Sequence, residues 1–180
     1  MIIGSQADRL VTVALGGNVG DRLKTLRSAV DGLSKLGAME RVSPTYETIA
    51  LTAPGMYSPD APRFLNAVIQ LRTVHSPPEL LSVLLDIERY HQRSRDPKQR
   101  WGPRTLDLDI IAIEDVVVEL SELTIPHPEM HRRSFVLCPL CDIDPDWVHP
   151  LLKRSARELL ADLPREEFPP YRIQDSIEAP

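Results

Sequence analysis

Two cysteines in 180 residues, Cys138 and Cys141, are too few to staple a disulfide framework. Aromatic residues make up only 5% of the chain, which leaves little for the stacking platforms that read single-stranded RNA. Positive charge is in deficit: 21 lysines and arginines against 26 acidic residues give a net charge of −5. That balance argues against a general nucleic-acid binder, whose affinity rests on a positive face, though it leaves room for a local basic pocket holding a small polyanion. No apolar run approaches the roughly 20 residues of a membrane helix, and the first ten residues lack a cationic segment followed by an apolar one. A cytoplasmic location is therefore expected, with no membrane or nucleic-acid partner. There is no G-x-x-x-x-G-K-[ST] sequence, so a P-loop is excluded. What is there is ordinary for a soluble globular chain: 42% hydrophobic and 26% charged residues. One domain over residues 1–180 is expected, a monomer, with residues 1–8 and 169–180 as loose termini.

Hydrophobic periodicity sets the element order. Residues 10–15 form a short apolar strand that ends at the Gly16-Gly17-Asn18 turn. Leu23, Leu26, Val30 and Leu33 recur at helical spacing, with Gly37 as a stop. Residues 42–48 read as a strand interrupted by Pro44, and residues 49–62 as a loop rich in Pro, Gly and Ala. Residues 64–72 alternate: Leu65, Ala67, Ile69 and Leu71 on one face, Phe64, Asn66, Val68 and Gln70 on the other. Ser76 and Glu79 frame a capping box with Pro77 at the first helical position, opening a helix that turns Leu80, Leu81, Leu84 and Ile87 inward and ends near His91. Residues 106–113 form the next strand, turned back by Glu114-Asp115 into residues 116–118. Ser155 and Glu158 cap a last helix running to Leu163. The order strand, helix, strand, strand, helix, strand predicts an α+β ferredoxin-like sandwich: a mostly antiparallel sheet, helices on one face, extra C-terminal elements, and a second face free for a ligand.

The chemistry concentrates in residues 100–109, RWGPRTLDLD. In a strand, residues two apart share a face about 7 Å apart at Cα, so Asp107 and Asp109 point together while Leu106, Leu108 and Ile110 point away. Two like charges near 4 Å repel by roughly 4 kcal/mol at an effective dielectric of 20, a cost that divalent cations remove. Carboxylates so placed can bridge two metals about 3.5–4 Å apart, and oxygen-only donors favour Mg2+ over zinc. Arg93, Arg95, Lys98, Arg100 and Arg104 lie just upstream, and guanidinium groups clamp phosphate oxygens bidentately. A bare D-x-D is also compatible with a solvated strand face, and the arginines with a solvated loop. Together they describe a site for a polyphosphate in transfer. A metal-dependent phosphodiesterase also suits D-x-D, and ferredoxin-like sheets also bind RNA. Cys138-Pro139-Leu140-Cys141 has metal or redox spacing but no second pair, and its apolar surroundings read as buried structural thiols. His127 and His131 stand four apart without a clear third ligand. His75, His91 and His149 read as surface residues, and Trp147 as packing.

The run RWGPRTLDLD resembles the signature of the 6-hydroxymethyl-7,8-dihydropterin pyrophosphokinase family. GGNVGDRL is similar to that family's first strand-loop-helix, FLNAV (residues 64–68) to its pterin-side strand, and TIPHPEMHRRSFVLCPL (residues 124–140) to its later ATP-binding segment. The resemblance implies transfer of diphosphate from ATP to the pterin hydroxymethyl group in folate biosynthesis, with ATP as co-substrate. It implies that Asp107 and Asp109 hold two Mg2+ ions, that Arg93 and Arg95 ride a loop closing over the triphosphate, and that Trp101 helps seal it. Arg100 and Arg104 would meet phosphate, Glu88 would lie beside the nucleotide, and Thr124, His127 and Arg133 would approach from the far side. Ile110 would contribute to the adenine pocket. Asn66 would bond the pterin edge, Phe135 would stack on the ring with Phe64 opposite, and Thr48 and Leu51 would complete the pocket. Gly17 departs from the family's serine, Ile49 from its proline, and the 49–62 segment is longer than the family form.

Overall fold

The computed structural model describes residues 8–53, 56–92, 102–164, 169–173 and 177. The first half runs β1 (Arg9–Gly17), α1 (Arg22–Leu33), β2 (Ala38–Val42), β3 (Tyr46–Thr48), β4 (Ala50–Ala53), β5 (Met56–Ser58), β6 (Phe64–Thr73) and α2 (Pro77–Tyr90). Then follow β7 (Asp107–Ile113), β8 (Val118–Glu119), β9 (Thr124–Ile125), α3 (Ser134–Ile143), α4 (Ala156–Ala161) and β10 (Tyr171–Arg172). The main sheet has the order β10-β3-β6-β1-β7, with β2 also paired to β6, and every pairing is antiparallel. This is the expected α+β ferredoxin-like arrangement. No helix among the described residues is long and apolar enough to cross a membrane.

Alternation along the strands divides the molecule into two layers. Leu65, Ala67, Ile69 and Leu71 of β6 pack with Leu26, Ala29, Val30 and Leu33 of α1 and with Leu80 and Leu84 of α2. Both helices begin as their sequences dictate: the Asp21 carboxylate accepts the Lys24 N–H, and Ser76 with Glu79 forms the capping box. The opposite face carries Val68, Ile111 and Ala112, covered by Val136, Leu137 and Leu140 of α3 and by Ala156 and Leu159 of α4. The extra C-terminal elements thus take up part of the face expected to be free, and the ligand face is what remains beyond them. A register shift in the β1–β7 pairing makes this possible: Val13 faces Ile110 and Thr12 faces Ala112, so Ile111 is an inserted residue and both Ile111 and Ala112 turn toward α3.

Four segments differ from expectation. Pro44 divides residues 38–48 into two strands that both pair with β6, and the Ser43 hydroxyl fills the break by accepting the Val68 N–H. The 49–62 segment is not a plain loop: β4 and β5 form a hairpin of their own. Residues 116–118 do not return along β7; β8 pairs with β9 instead. The terminus expected to be loose supplies β10, paired with β3, while Arg172 lies 3.6 Å from Asp142 and Ile177 is fully buried in the main core. Asp142 also accepts the Tyr46 hydroxyl at 2.8 Å, which ties α3 to β3; burial first, then that bond, raises the Tyr46 pKa. His149, expected at the surface, is buried and accepts the backbone N–H groups of Leu151 and Leu152. Cys138 and Cys141 form no disulfide and are half-buried on α3 rather than buried, and burial raises the Cys141 thiol. Trp147 packs against the second core layer as expected.

Candidate active site

Cross-strand register assembles the site. Gly16 of β1 lies opposite Asn66 on one side and opposite Asp107 on the other, and Ala14 lies opposite Val68 and Asp109. Directly opposed residues of antiparallel strands project to the same face. Asn66, Asp107 and Asp109 therefore share one face, with the two smallest residue types between them. Neighbouring strands are about 4.8 Å apart, so Asn66 and Asp107 stand roughly 10 Å apart at Cα, a span that admits a flat bicyclic ring beside a phosphate chain. The glycine is needed there: a Cβ on Gly16 would sit 2.8 Å from Asn66 Oδ1. The Asn66 amide Nδ2 donates to Thr48 Oγ1 at 2.8 Å, and Thr48 is paired with Phe64. Thr48, Phe64 and Asn66 thus fall together as expected, and Leu51 sits in β4 opposite Tyr57.

The acidic side is held from behind. Glu88, expected beside the nucleotide, is 1% exposed, and its carboxylate accepts the Leu108 N–H at 2.8 Å. It pins, from within the core, the peptide between the two aspartates. Thr105 donates its hydroxyl to the His91 carbonyl at 2.7 Å, fastening the same strand to the end of α2. Arg104 joins the acidic pair: its guanidinium reaches Asp107 Oδ2 at 2.5 Å, and both side chains are about four-fifths covered. The Ile110 side chain is buried in the main core, on the face opposite the aspartates. Arg93, Arg95, Arg100 and Trp101 lie outside the described residues.

On the outer side of β7, the His127 N–H donates to the Ile111 carbonyl at 2.9 Å, and ring Nδ1 accepts the Glu129 N–H at 3.1 Å. Nδ1 being an acceptor, a neutral ring carries its proton on Nε2. Desolvation, then the Arg133 charge, lowers the His127 pKa to about 4. Arg133 lies over the Phe135 ring at 5.7 Å, and Phe135 packs at the edge of the second core layer, on the Asn66 side of the sheet. Thr124 is exposed on β9.

The depressed histidine has a pH consequence. Between pH 6.5 and about 4 the unfolded chain takes up a proton that folded His127 refuses, so stability is full above pH 6.5 and declines as pH falls through that window. The contribution is at most about 3 kcal/mol, less whatever the ring's remaining exposure returns. His91 and His149 are lowered in the same direction by burial and share the slope. Urea unfolding of the ligand-free protein should show the His127→Gln variant with a shallower loss between pH 6.5 and 4.5. Equal slopes would place the titration elsewhere.

Two residues that matter were not singled out by the sequence. Asn18 read only as part of a turn, and Gly16 only as a strand end. Gly17 also has a local cause: a Cβ would lie 2.4 Å from the Thr105 carbonyl oxygen, so this backbone has no room for the serine of the family pattern.

The donor set fits Mg2+ shared with a polyphosphate. Among the described residues no group of three or more His, Cys, Asp or Glu side chains converges on one point. Two carboxylates on one strand face leave most of an octahedral shell to phosphate oxygens and water, which is how Mg2+ is usually held at nucleotide sites.

Comparison with known proteins agrees with this geometry. Residues 12–145 match the sequence profile of the family described as 7,8-dihydro-6-hydroxymethylpterin-pyrophosphokinase. A 2-amino-4-hydroxy-6-hydroxymethyldihydropteridine pyrophosphokinase of Synechocystis is 43% identical over 150 residues, covering 82% of this chain and 73% of that protein. The protein of that name in Pseudomonas aeruginosa is 41% identical over 158 residues, covering 87% of this chain and 93% of its own. In fold, the chain is similar to a Plasmodium falciparum HPPK-DHPS structure, with a TM-score of 0.65 over 88% of this chain and 44% of that one, at 17% identity.

Proposed function

Because the chain belongs to the 7,8-dihydro-6-hydroxymethylpterin-pyrophosphokinase family, we propose that its ligand face binds the pterin at Asn66 and the phosphates of ATP at Asp107, Asp109 and Arg104. The protein is an ATP-dependent diphosphotransferase of folate biosynthesis: it transfers diphosphate from ATP to the hydroxymethyl group of 6-hydroxymethyl-7,8-dihydropterin. The observation that carries the site assignment is the row Asn66, Gly16, Asp107 across three adjacent strands. It sets a hydrogen-bonding edge for a heterocycle beside a pair of carboxylates, with no side chain between them.

The hydroxymethyl oxygen attacks the β-phosphorus of ATP in line. A new O–Pβ bond forms, the bond from Pβ to the bridging oxygen breaks, AMP departs with that oxygen, and the hydroxyl proton is released. Asp107 and Asp109 would hold two Mg2+ ions, which would supply charge neutralisation on the phosphate oxygens. The residues of the chain mainly position and neutralise. Asn66, oriented by Thr48, holds the pterin edge, and Phe64 and Phe135 flank the ring. Arg104 exchanges its contact with Asp107 for a phosphate oxygen as the nucleotide enters. Arg93, Arg95, Arg100 and Trp101, outside the described residues, would meet the triphosphate as the family resemblance implies. Neutral His127 donates Nε2–H to a phosphate oxygen, and Arg133 contributes charge beside it. On this reading the enzyme acts in the cytoplasm, as a monomer, on two small molecules; its acidic balance disfavours a nucleic-acid partner.

Incubation with ATP, Mg2+ and the reduced hydroxymethylpterin tests this directly. AMP and a pterin diphosphate should appear in equal amounts, with nothing released when the pterin is omitted. Nucleotide hydrolysis that proceeds without pterin would instead support the phosphodiesterase reading.

A further inference from the structure

We infer that Asn18 is a positioning residue that fastens the pterin-side strand entry to the phosphate-side arginine, and so couples the binding of the two substrates without touching either. This rests on the function proposed above and adds a residue to it.

Asn18 is 5% exposed, just beyond the end of β1. Its amide is used at both ends. Oδ1 accepts the Arg104 N–H at 2.8 Å, and Nδ2 donates to the Pro62 carbonyl at 3.0 Å. Its own backbone N–H donates to the Arg104 carbonyl at 2.9 Å. Arg104 is thus gripped on both sides of its Cα by one residue, and its guanidinium reaches Asp107. Pro62 lies two residues before Phe64, where β6 begins its run to Asn66. The three segments that meet at Asn18 therefore lead to Gly16, to Asn66 and to the Asp107–Asp109 pair. Gly17 lets them meet, since a Cβ there would lie 2.4 Å from the Thr105 carbonyl oxygen. An amide suits the position because one end must accept and the other donate, through two separate atoms; a carboxylate can only accept, a methyl does neither, and a hydroxyl would have to reach both partners from one oxygen. With both arms made, any shift of the segment entering β7 on nucleotide binding is passed to the segment entering β6.

The test uses the full chain, with the α,β-methylene analogue of ATP, Mg2+ and the reduced hydroxymethylpterin. For each variant, pterin affinity is measured with and without saturating analogue, alongside kcat and Tm. Asn18→Ala should leave the separate affinities within about threefold of wild type. It should lower the enhancement of pterin affinity by the analogue, and kcat, each about tenfold. Asn18→Asp keeps the acceptor for Arg104 and loses the donor to Pro62, so analogue affinity should stay at the wild-type value while the enhancement falls as in the alanine variant. If Asn18→Ala does not fold, the aspartate variant decides by the same comparison. The inference is overturned if the enhancement and kcat are unchanged, or if both separate affinities fall in step with Tm, as for a purely structural residue. Wild-type protein that forms no pterin diphosphate would overturn the functional reading itself, a result separate from the coupling comparison.

Discussion

Replacing Asp109 with alanine is expected to lower kcat/KM by about 10^3-fold, equivalent to about 4 kcal/mol of transition-state stabilisation, while unfolding free energy changes by less than about 1 kcal/mol. Asp109 is half-buried on the ligand face, opposite Ala14, and its neighbours Leu108 and Ile110 carry the core packing on the other face. Truncation leaves those contacts in place and removes a negative charge from beside Asp107. A carboxylate kept for structure would show the reverse pattern, a stability loss with activity following it. Asparagine at the same position keeps the shape and one acceptor but loses the charge. It should remain impaired by at least about 10^2-fold at ordinary Mg2+, recovering partly as Mg2+ is raised. The measurements are initial rates of AMP release across a Mg2+ series together with urea unfolding. Near-normal turnover by the alanine variant would remove the metal role from this residue.

Replacing Asn66 with alanine should weaken pterin binding by about 10- to 100-fold and leave the affinity of a non-hydrolysable ATP analogue unchanged. A ligand polar group left without its partner in a covered site costs about 1–3 kcal/mol. The Thr48 hydroxyl loses its donor in the same step, so part of the effect is loss of preorganisation. Gly16→Ala offers an independent approach, because the added methyl must push Asn66 Oδ1 aside from 2.8 Å. It should reproduce the pterin defect with the asparagine still present. Titration of both variants with pterin and, separately, with the analogue checks the assignment. Loss of analogue affinity in Asn66→Ala would mean that this strand face serves the nucleotide instead.

Local signals in the sequence were sufficient for much of the scaffold. The alternation of residues 64–72, the Ser76–Glu79 box and the stripe Leu26, Val30, Leu33 each reflect short-range geometry, and each appears in the structure. α3 did not read as a helix because Pro139 lies inside it and its residues are apolar on nearly every side. Such a run has no single face to reveal a period, and only burial between the sheet and α4 makes it a helix. β10 was missed for a related reason: two residues carry no periodicity, and their strand character comes from pairing with β3. Ile110 shows the limit at the site. The family resemblance suggested the nucleotide pocket, while strand alternation, already legible in the sequence, turns its side chain into the core.

By itself, the chain's sequence determined which residue types share a face: two acids on one side of a strand, arginines just ahead of them in the chain, and an asparagine off the aliphatic side of another strand. Those facts follow from residue identity and from a backbone period of two. Tertiary structure alone decided how these pieces meet. Register across β6, β1 and β7 brings Asn66 and Asp107 to either side of Gly16, Glu88 grips the aspartate strand from within, and Asn18 joins segments that lie 44 and 86 residues away. The physical reason is that register and side-chain hydrogen bonds between distant segments are settled by packing the whole chain at once, and no local window of sequence contains both partners.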